Sequence, residues 1–500
     1  MLIKVKKNWK DLIDSKTHVH GLSRRDFIAR GLATGSVVVA AQKLFMGGIL
    51  GKAYAATMTC PAPVAHPGAI AQIFSEGGPT MGARFIGDAQ AAMMNSGIAG
   101  NYGISGTNLV QLGPNMWIDS TSPFGATLLQ GPPGYGGGAT PAASAALWKT
   151  NVLSKISGGG HLGPFNMDDG AGQNTGLLGG VSPFKQSVMG KDLLINNAAT
   201  RASWAGGLPG SKVKSNPTAA TLAATAALTP AATGLTNPAA LGAASDAANA
   251  LATAMSPVFN NATRKGASVA MTNAGCAFYG NNALVDPNYG TSLFTASGIS
   301  ALTSKLTVAT LSAQEQALLA AYYQSANGTA GGIITEYGGR DYHGNDPITQ
   351  IAPDDIEEAR AIVMFLAACD AAQAPGSMIY LANGQAIANG TQNGTVTIGG
   401  QQVTVNSPVA SGDAGGAYNA GLIIFYSPTG SVSNARFTGT VNSSSGNATV
   451  DPNISSNRDA VAGLYLSALA WVSGGQVPAA ALKAMQAAGT AAMPSKIMVI

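Results

Sequence analysis

DDIEEARAIVMFLAACDAAQAPGSMIYLA, residues Asp354 to Ala382, reads as a helix, a stop and a buried strand. Asp354 is placed as an N-cap with Glu357 three residues on, and Ile356, Ile362, Val363, Phe365, Leu366 and Cys369 follow at helical spacing. Pro375-Gly376 ends the helix, and Ser377–Ala382 continues as an apolar strand. A helix, a tight turn and a buried strand form half of a β-α-β crossover, the unit of parallel sheets covered by helices. The flanking chain repeats the theme. Ala69–Ser75, Asp192–Asn197 and Gly421–Ser427 are further short apolar runs, and Asn457–Gly475 has Val461, Leu464, Tyr465, Ala468, Leu469 and Val472 on one helical side. The expected fold is therefore α/β, with a central, mostly parallel sheet flanked by helices. No repeat of fixed period is present, which disfavours a solenoid or propeller.

Between these elements, residues 98–190 are rich in glycine and read as long surface loops, and residues 213–265, dominated by Ala and Thr and broken by prolines, read as an insertion or cap. The 500 residues have a mean hydropathy of +0.17, enough apolar mass for a deep core, but only 10% charged residues where about 25% is usual. Ser, Thr, Asn, Gln, Gly and Ala must cover much of the surface.

The positive charge belongs to the N-terminus. Arg24-Arg25 precede Phe27, a weakly apolar run follows, and Ala53-Tyr54-Ala55 supplies a small-residue cleavage site, so residues 1–55 are read as a twin-arginine export signal. Its removal takes away ten basic and three acidic residues, leaving 17 and 20, a net charge near −3. No basic nucleic-acid surface remains. The mature chain, residues 56–500, is read as one domain without a transmembrane helix, located in the periplasm or at the cell surface, with the translocon of the twin-arginine pathway as its partner during export. Of its three cysteines, Cys60 and Cys276 are the expected pair in an oxidising compartment, and Cys369 is expected to be a buried apolar filler in the helix.

Local catalytic signatures are missing: there is no G-x-S-x-G, no G-x-x-x-x-G-K-[ST], no H-E-x-x-H and no C-x-x-C. The mature histidines are His66, His161 and His343. His66 reads as a solvated loop residue, and His161 and the neighbouring Asp168-Asp169 as loop residues in the glycine-rich region. The best candidate metal ligands are Asp341 and His343 in YGGRDYHGND, Tyr337–Asp346, with Asp346 or Glu336 as a possible third.

The order of SEGGPTMGARF (Ser75–Phe85), YGGRDYHGND, the helix and strand after it, GGAYNAGLIIFYSPTG (Gly415–Gly430) and the closing helix DAVAGLYLSALAWVSGG resembles the DUF1501 proteins of the alkaline-phosphatase-like superfamily. The resemblance implies metal ions held by Asp and His from loops at the carboxyl ends of the sheet. It also implies several acids that this chain replaces. Thr80 stands where the family has an Asp after its first Gly-Gly pair. The segment from Asn383 lacks the family's Ser-Asp/Glu-Phe-Gly-Arg-Thr, and Tyr418-Asn419 stand for an Asp-His pair. Only Gly338, Gly339, Asp341 and His343 match fully. A dinuclear hydrolase needs several carboxylates and imidazoles. The expectation is therefore an exported, non-catalytic binding or structural protein with a degenerate site and no cofactor, working through protein partners or self-assembly. The alternative is a divergent metal-dependent hydrolase of phosphate or sulfate esters that uses a divalent ion and recruits Glu76, Asp168 and Asp169.

Overall fold

The computed structural model describes residues 68–97, 102–162, 192–195, 213–214, 300–326, 332–383, 386–413, 419–430, 435–442 and 457–475, with a few single positions between and after them. The leader with Arg24, Arg25, Ala53 and Ala55, together with Cys60, His66, Asp168, Asp169, Cys276 and Tyr418, lies outside the described residues.

The strands of the main sheet are β1 (Ala69–Glu76), β4 (Ile156–Leu162), β5 (Asp192–Ile195), β6 (Val213–Lys214), β7 (Gly332–Tyr337), β8 (Gly376–Asn383), β11 (Asn419–Tyr426) and β12 (Phe437–Thr438). They lie in the order β12-β4-β11-β8-β1-β7-β5-β6, so that two-residue strands edge six longer ones. β1 pairs in parallel with β7 and β8, as β5 does with β7, while β11 runs antiparallel to β4 and β8. The fold is mixed α/β with a mostly parallel sheet.

Apolar runs become strands here because both sheet faces are covered. On one face, Ala69, Ala71 and Ile73 of β1 join a core with Ile333, Met378, Tyr380, Leu422 and Ile424. This core also takes side chains from α2 (Pro123–Gln130), α4 (Ser300–Lys305), α5 (Ala313–Ala326) and α6 (Ala352–Ala372). On the other, Ile70, Phe74, Ile379, Leu381, Ile423 and Phe425 meet Val461, Leu464, Tyr465 and Leu469 of α7 (Asn457–Val472). The helix predicted from Asp354 is α6, buried on nearly every side, and Cys369 is buried within it. It connects β7 to β8 across β1, completing the crossover.

Its start differs from the sequence reading. A π-helical turn, Pro347–Ile351, precedes α6, and the side chain of Asp346 caps that turn by accepting from the Ile348 and Thr349 amides at 3.0 and 2.7 Å. Asp354 and Glu357 are therefore not a capping box; both side chains bind Arg340.

The loops predicted over 98–190 are corrected for residues 102–162. They contain the hairpin β2 (Leu109–Gly113) and β3 (Met116–Asp119), α2, α3 (Pro141–Asn151) and β4. Two of the prolines there, Pro123 and Pro141, are helix starters. Ser122 and Thr140 accept from the Gly125 and Ala143 amides, and the proline after each sits at the first helical position, where no amide is needed. Of residues 213–265 only β6 is described. Between β8 and β11 the chain forms a long two-stranded hairpin, β9 (Ala386–Ile398) and β10 (Gln401–Asp413), which the sequence reading did not foresee. Among the described residues no helix is long and apolar enough to cross a membrane.

Candidate functional site

The loops leaving the carboxyl ends of β1 and β7 interlock through their backbones. The Arg340 amide donates to the Glu76 carbonyl at 2.7 Å, the Tyr342 amide to Gly78 at 3.3 Å, and the Ala386 amide to Pro79 at 3.3 Å. Gly77 must be glycine for this. Its φ is +120°, and a Cβ there would stand 3.1 Å from the Arg340 backbone. Carboxyl ends of strands are where open α/β sheets bind ligands, so the position of GGRDYHG suits a site.

Its side chains alternate between two environments. Asp341 is exposed, and His343 is partly so. The Asp341 carboxylate accepts from the His343 amide at 2.9 Å and pairs with the His343 ring Nδ1 at 2.6 Å. Partial burial of Asp341 pushes its carboxyl up, but the His343 amide and ring outweigh it and hold the group below its ordinary range. The two predicted ligands therefore bind each other.

Arg340 and Tyr342 turn inward, onto α6. Beneath them lies a buried ion cluster built on Arg84, which the turn after β1 (Met81–Ala83) delivers. The Arg84 guanidinium pairs with Asp355 and with Glu358, the latter at 2.7 Å, and donates to the Tyr380 and Tyr342 hydroxyls at 2.9 and 3.0 Å. Those hydroxyls donate in turn to Glu358 and Asp355, and the Ser75 hydroxyl donates to Glu358 at 2.6 Å. The rings of Phe124, Tyr342 and Tyr380 each lie within 5.6 Å of the Arg84 Cζ, a cation–π cage. Arg340 forms an outer layer. It binds Asp354 and Glu357, approaches Glu358 at 3.7 Å, and lies over the Tyr337 ring at 5.0 Å.

Burial pulls the Arg84 pKa down, but Asp355, the tyrosines and Glu358 outweigh it and hold the guanidinium firmly charged. Burial pushes the Asp355 carboxyl up, against the pull of Arg84. A guanidinium suits this place because its planar fork can meet two carboxylates and two hydroxyls at once.

Among the described residues the remaining sequence candidates form no metal-binding group with Asp341 and His343, although the Glu76 carboxylate lies beside the loop, its Oε2 4.0 Å from where a Cβ on Gly338 would stand. Thr80 is buried at the head of the turn that delivers Arg84. Glu336 is buried on Ile334's face of β7, the α7 side, and Asp346 is occupied as a cap. Asn419 opens β11, its backbone opposite Leu162. His161, expected in a loop, is instead a strand residue buried in β4. Its ring lies 2.6 Å from the Thr438 hydroxyl and 2.7 Å from the Ala460 carbonyl. A carbonyl only accepts, so Nε2 carries the proton and Nδ1 accepts from Thr438, an arrangement that fixes the neutral imidazole. Burial is the chief cause that lowers its pKa to about 4.

Among the described residues no group of three or more His, Cys, Asp or Glu side chains is arranged to hold a metal ion. The chain matches no protein-family model, no curated protein and no solved structure.

Proposed function

We propose that this chain is an exported, DUF1501-like protein with an alkaline-phosphatase-like scaffold, acting in the periplasm or at the cell surface by binding rather than catalysis. Export through the twin-arginine pathway rests on the leader sequence, and the family on the motif order. The observation that carries the non-catalytic reading is the fate of four α6 carboxylates beneath GGRDYHG. Asp354, Asp355, Glu357 and Glu358 are all bound by two arginines of the protein itself. In a metal-dependent esterase, acids at this end of the sheet would hold a divalent ion and leave room for the transferring group. Here two arginines neutralise them, and among the described residues Asp341 and His343 form no group of three or more metal-ligand side chains.

The test is metal analysis of the purified chain beside its Asp341→Ala/His343→Ala variant, together with assays on phosphate and sulfate esters. Both proteins are expected to lack stoichiometric zinc, manganese or calcium and to hydrolyse neither ester above the blank. The double variant is expected to unfold within about 0.5 kcal/mol of the parent, as for exposed positions. Stoichiometric metal that disappears in the variant, together with ester hydrolysis, would establish the hydrolase instead.

A further inference from the structure

The β9–β10 hairpin projects a strand edge that nothing else in the described protein covers. Gly399 and Gly400, at φ +56° and +81°, make its two-residue turn, and Ile398 faces Gln401. Hydrogen-bonded pairs alternate from that point, so the main chains of Thr391, Asn393, Thr395 and Thr397 turn away from β10. The partner strand shows the same phase, since Asn406, opposite Asn393, sends its amide outward to the Thr121 carbonyl at 2.8 Å. The edge of β10 is thus occupied at Asn406, and Pro408 has no amide to offer there. Among the described residues the edge of β9 has no neighbouring strand, and Thr391, Asn393, Thr395 and Thr397 are all exposed.

Proteins normally protect such edges with lysine, proline, a bulge or a covering element. None of these guards Thr391–Thr397, a run of regular pairing to β10. From Leu381 to Gly412 the chain carries no Asp, Glu, Lys or Arg. The hairpin is nevertheless held firmly from beneath, where Val396, Ile398 and Val405 are buried with Ala352 and packed against Ala126 and Ile348.

We infer that the β9 edge is a strand-addition surface and that its occupant is a second copy of this chain, paired antiparallel about a two-fold axis at Gly394. The register is self-complementary. Thr391 meets Thr397 of the other copy and Asn393 meets Thr395, each donating and accepting one main-chain bond, and the outcome is a four-stranded sheet across the dimer. An edge without charge meets its own copy with no like-charge repulsion, and it gives a charged partner strand no ion pair to form. This names a partner for the binding-protein reading and rests on that reading only for its biological sense; stoichiometric metal with ester hydrolysis would overturn that reading and leave the dimer untouched.

Sedimentation of the purified chain at rising concentration, with hydrogen exchange at the edge amides, tests it. The parent is expected to approach twice the single-chain mass, with the amides of Asn393 and Thr395 becoming protected as it does. Thr395→Pro removes an outward amide without touching the ladder to β10 and is expected to hold the single-chain mass at every concentration. Thr395→Lys should do the same by placing like charges across the axis, and it decides the matter if the proline lowers the melting temperature. A parent that stays at single-chain mass sinks the proposal, as does a dimer that survives both substitutions. Protection of the edge amides at single-chain mass would mean a foreign strand is bound and would equally overturn the second copy.

Discussion

Arg84→Met is expected to destabilise the protein by about 3–5 kcal/mol, the usual cost of removing one partner from a buried ion network. A domain is stable by only about 5–15 kcal/mol in all, so the variant should unfold at far lower urea than the parent, measured by circular dichroism. Methionine matches much of the stem's volume, so the loss is electrostatic rather than a cavity. Asp355 remains fully buried with no cation, Glu358 keeps only Arg340 at 3.7 Å, and two tyrosine hydroxyls have lost a donor. Two further measurements separate this cause from simple misfit. In the variant the Asp355 carboxyl, pushed up by burial and no longer pulled down by Arg84, should bind a proton more readily folded than unfolded, so the deficit should shrink as the pH falls. Adding Asp355→Asn and Glu358→Gln, which removes the stranded charge, should restore part of the stability. A variant that unfolds at the parent's midpoint would mean that the guanidinium is not the cluster's counter-charge.

This cluster also marks where the sequence stopped being readable. Strands β1, β8 and β11 and helices α6 and α7 show as apolar segments closed by Gly or Pro, because elements covered on both sides need no polar face. Direction is another matter: nothing in GLIIFYS says that β11 runs against its neighbours. The Ser157–His161 stretch looks like a loop since its glycines suggest freedom. Their reason is proximity instead, a Cβ at Gly158 or Gly159 standing 2.5 or 2.8 Å from the Asn115 or Arg436 carbonyl oxygen. The β9–β10 hairpin was open to inference from the alternation in TVTI and VTV about Gly399-Gly400, but its polar, glycine-rich composition hid it. Arg84 left one signal. It is the sole Lys or Arg between Lys52 and Lys149, and in a chain this poor in charge an isolated arginine between apolar residues calls for an acid. Its acids lie on α6, at a sequence distance that no local motif spans. Asp354 and Glu357 were misread for the same reason, since their partner Arg340 comes from a different element.

His161 gives a pH dependence of its own. The unfolded imidazole takes up a proton near pH 6.5, while the folded one, buried and neutral, resists until about pH 4. Between those values the unfolded chain holds more protons, so stability falls as the pH falls. The contribution is complete above about pH 6.5 and gone below about pH 4, a loss of about 3 kcal/mol at 1.36 kcal/mol per pH unit. The hydrogen bond to the Ala460 carbonyl and the nearby negative charge of Asp451 pull the other way and favour the imidazolium, but less strongly than burial. Other groups also shift on folding: Asp341 and Asp346 are held below the usual carboxylate range, and Asp355 above it. Comparison with His161→Gln removes them, since they are common to both proteins. Glutamine keeps an amide that can donate to the Ala460 carbonyl and cannot titrate. Urea midpoints taken from pH 7 to 4 should converge as the acid end is approached, the parent losing about 3 kcal/mol more than the variant. A constant gap across that window would show that the ring titrates as it does in water, and that burial does not hold it neutral. The same proton explains why β4 can afford a histidine in its core: two hydrogen bonds satisfy the neutral ring completely, and only acid makes the position costly.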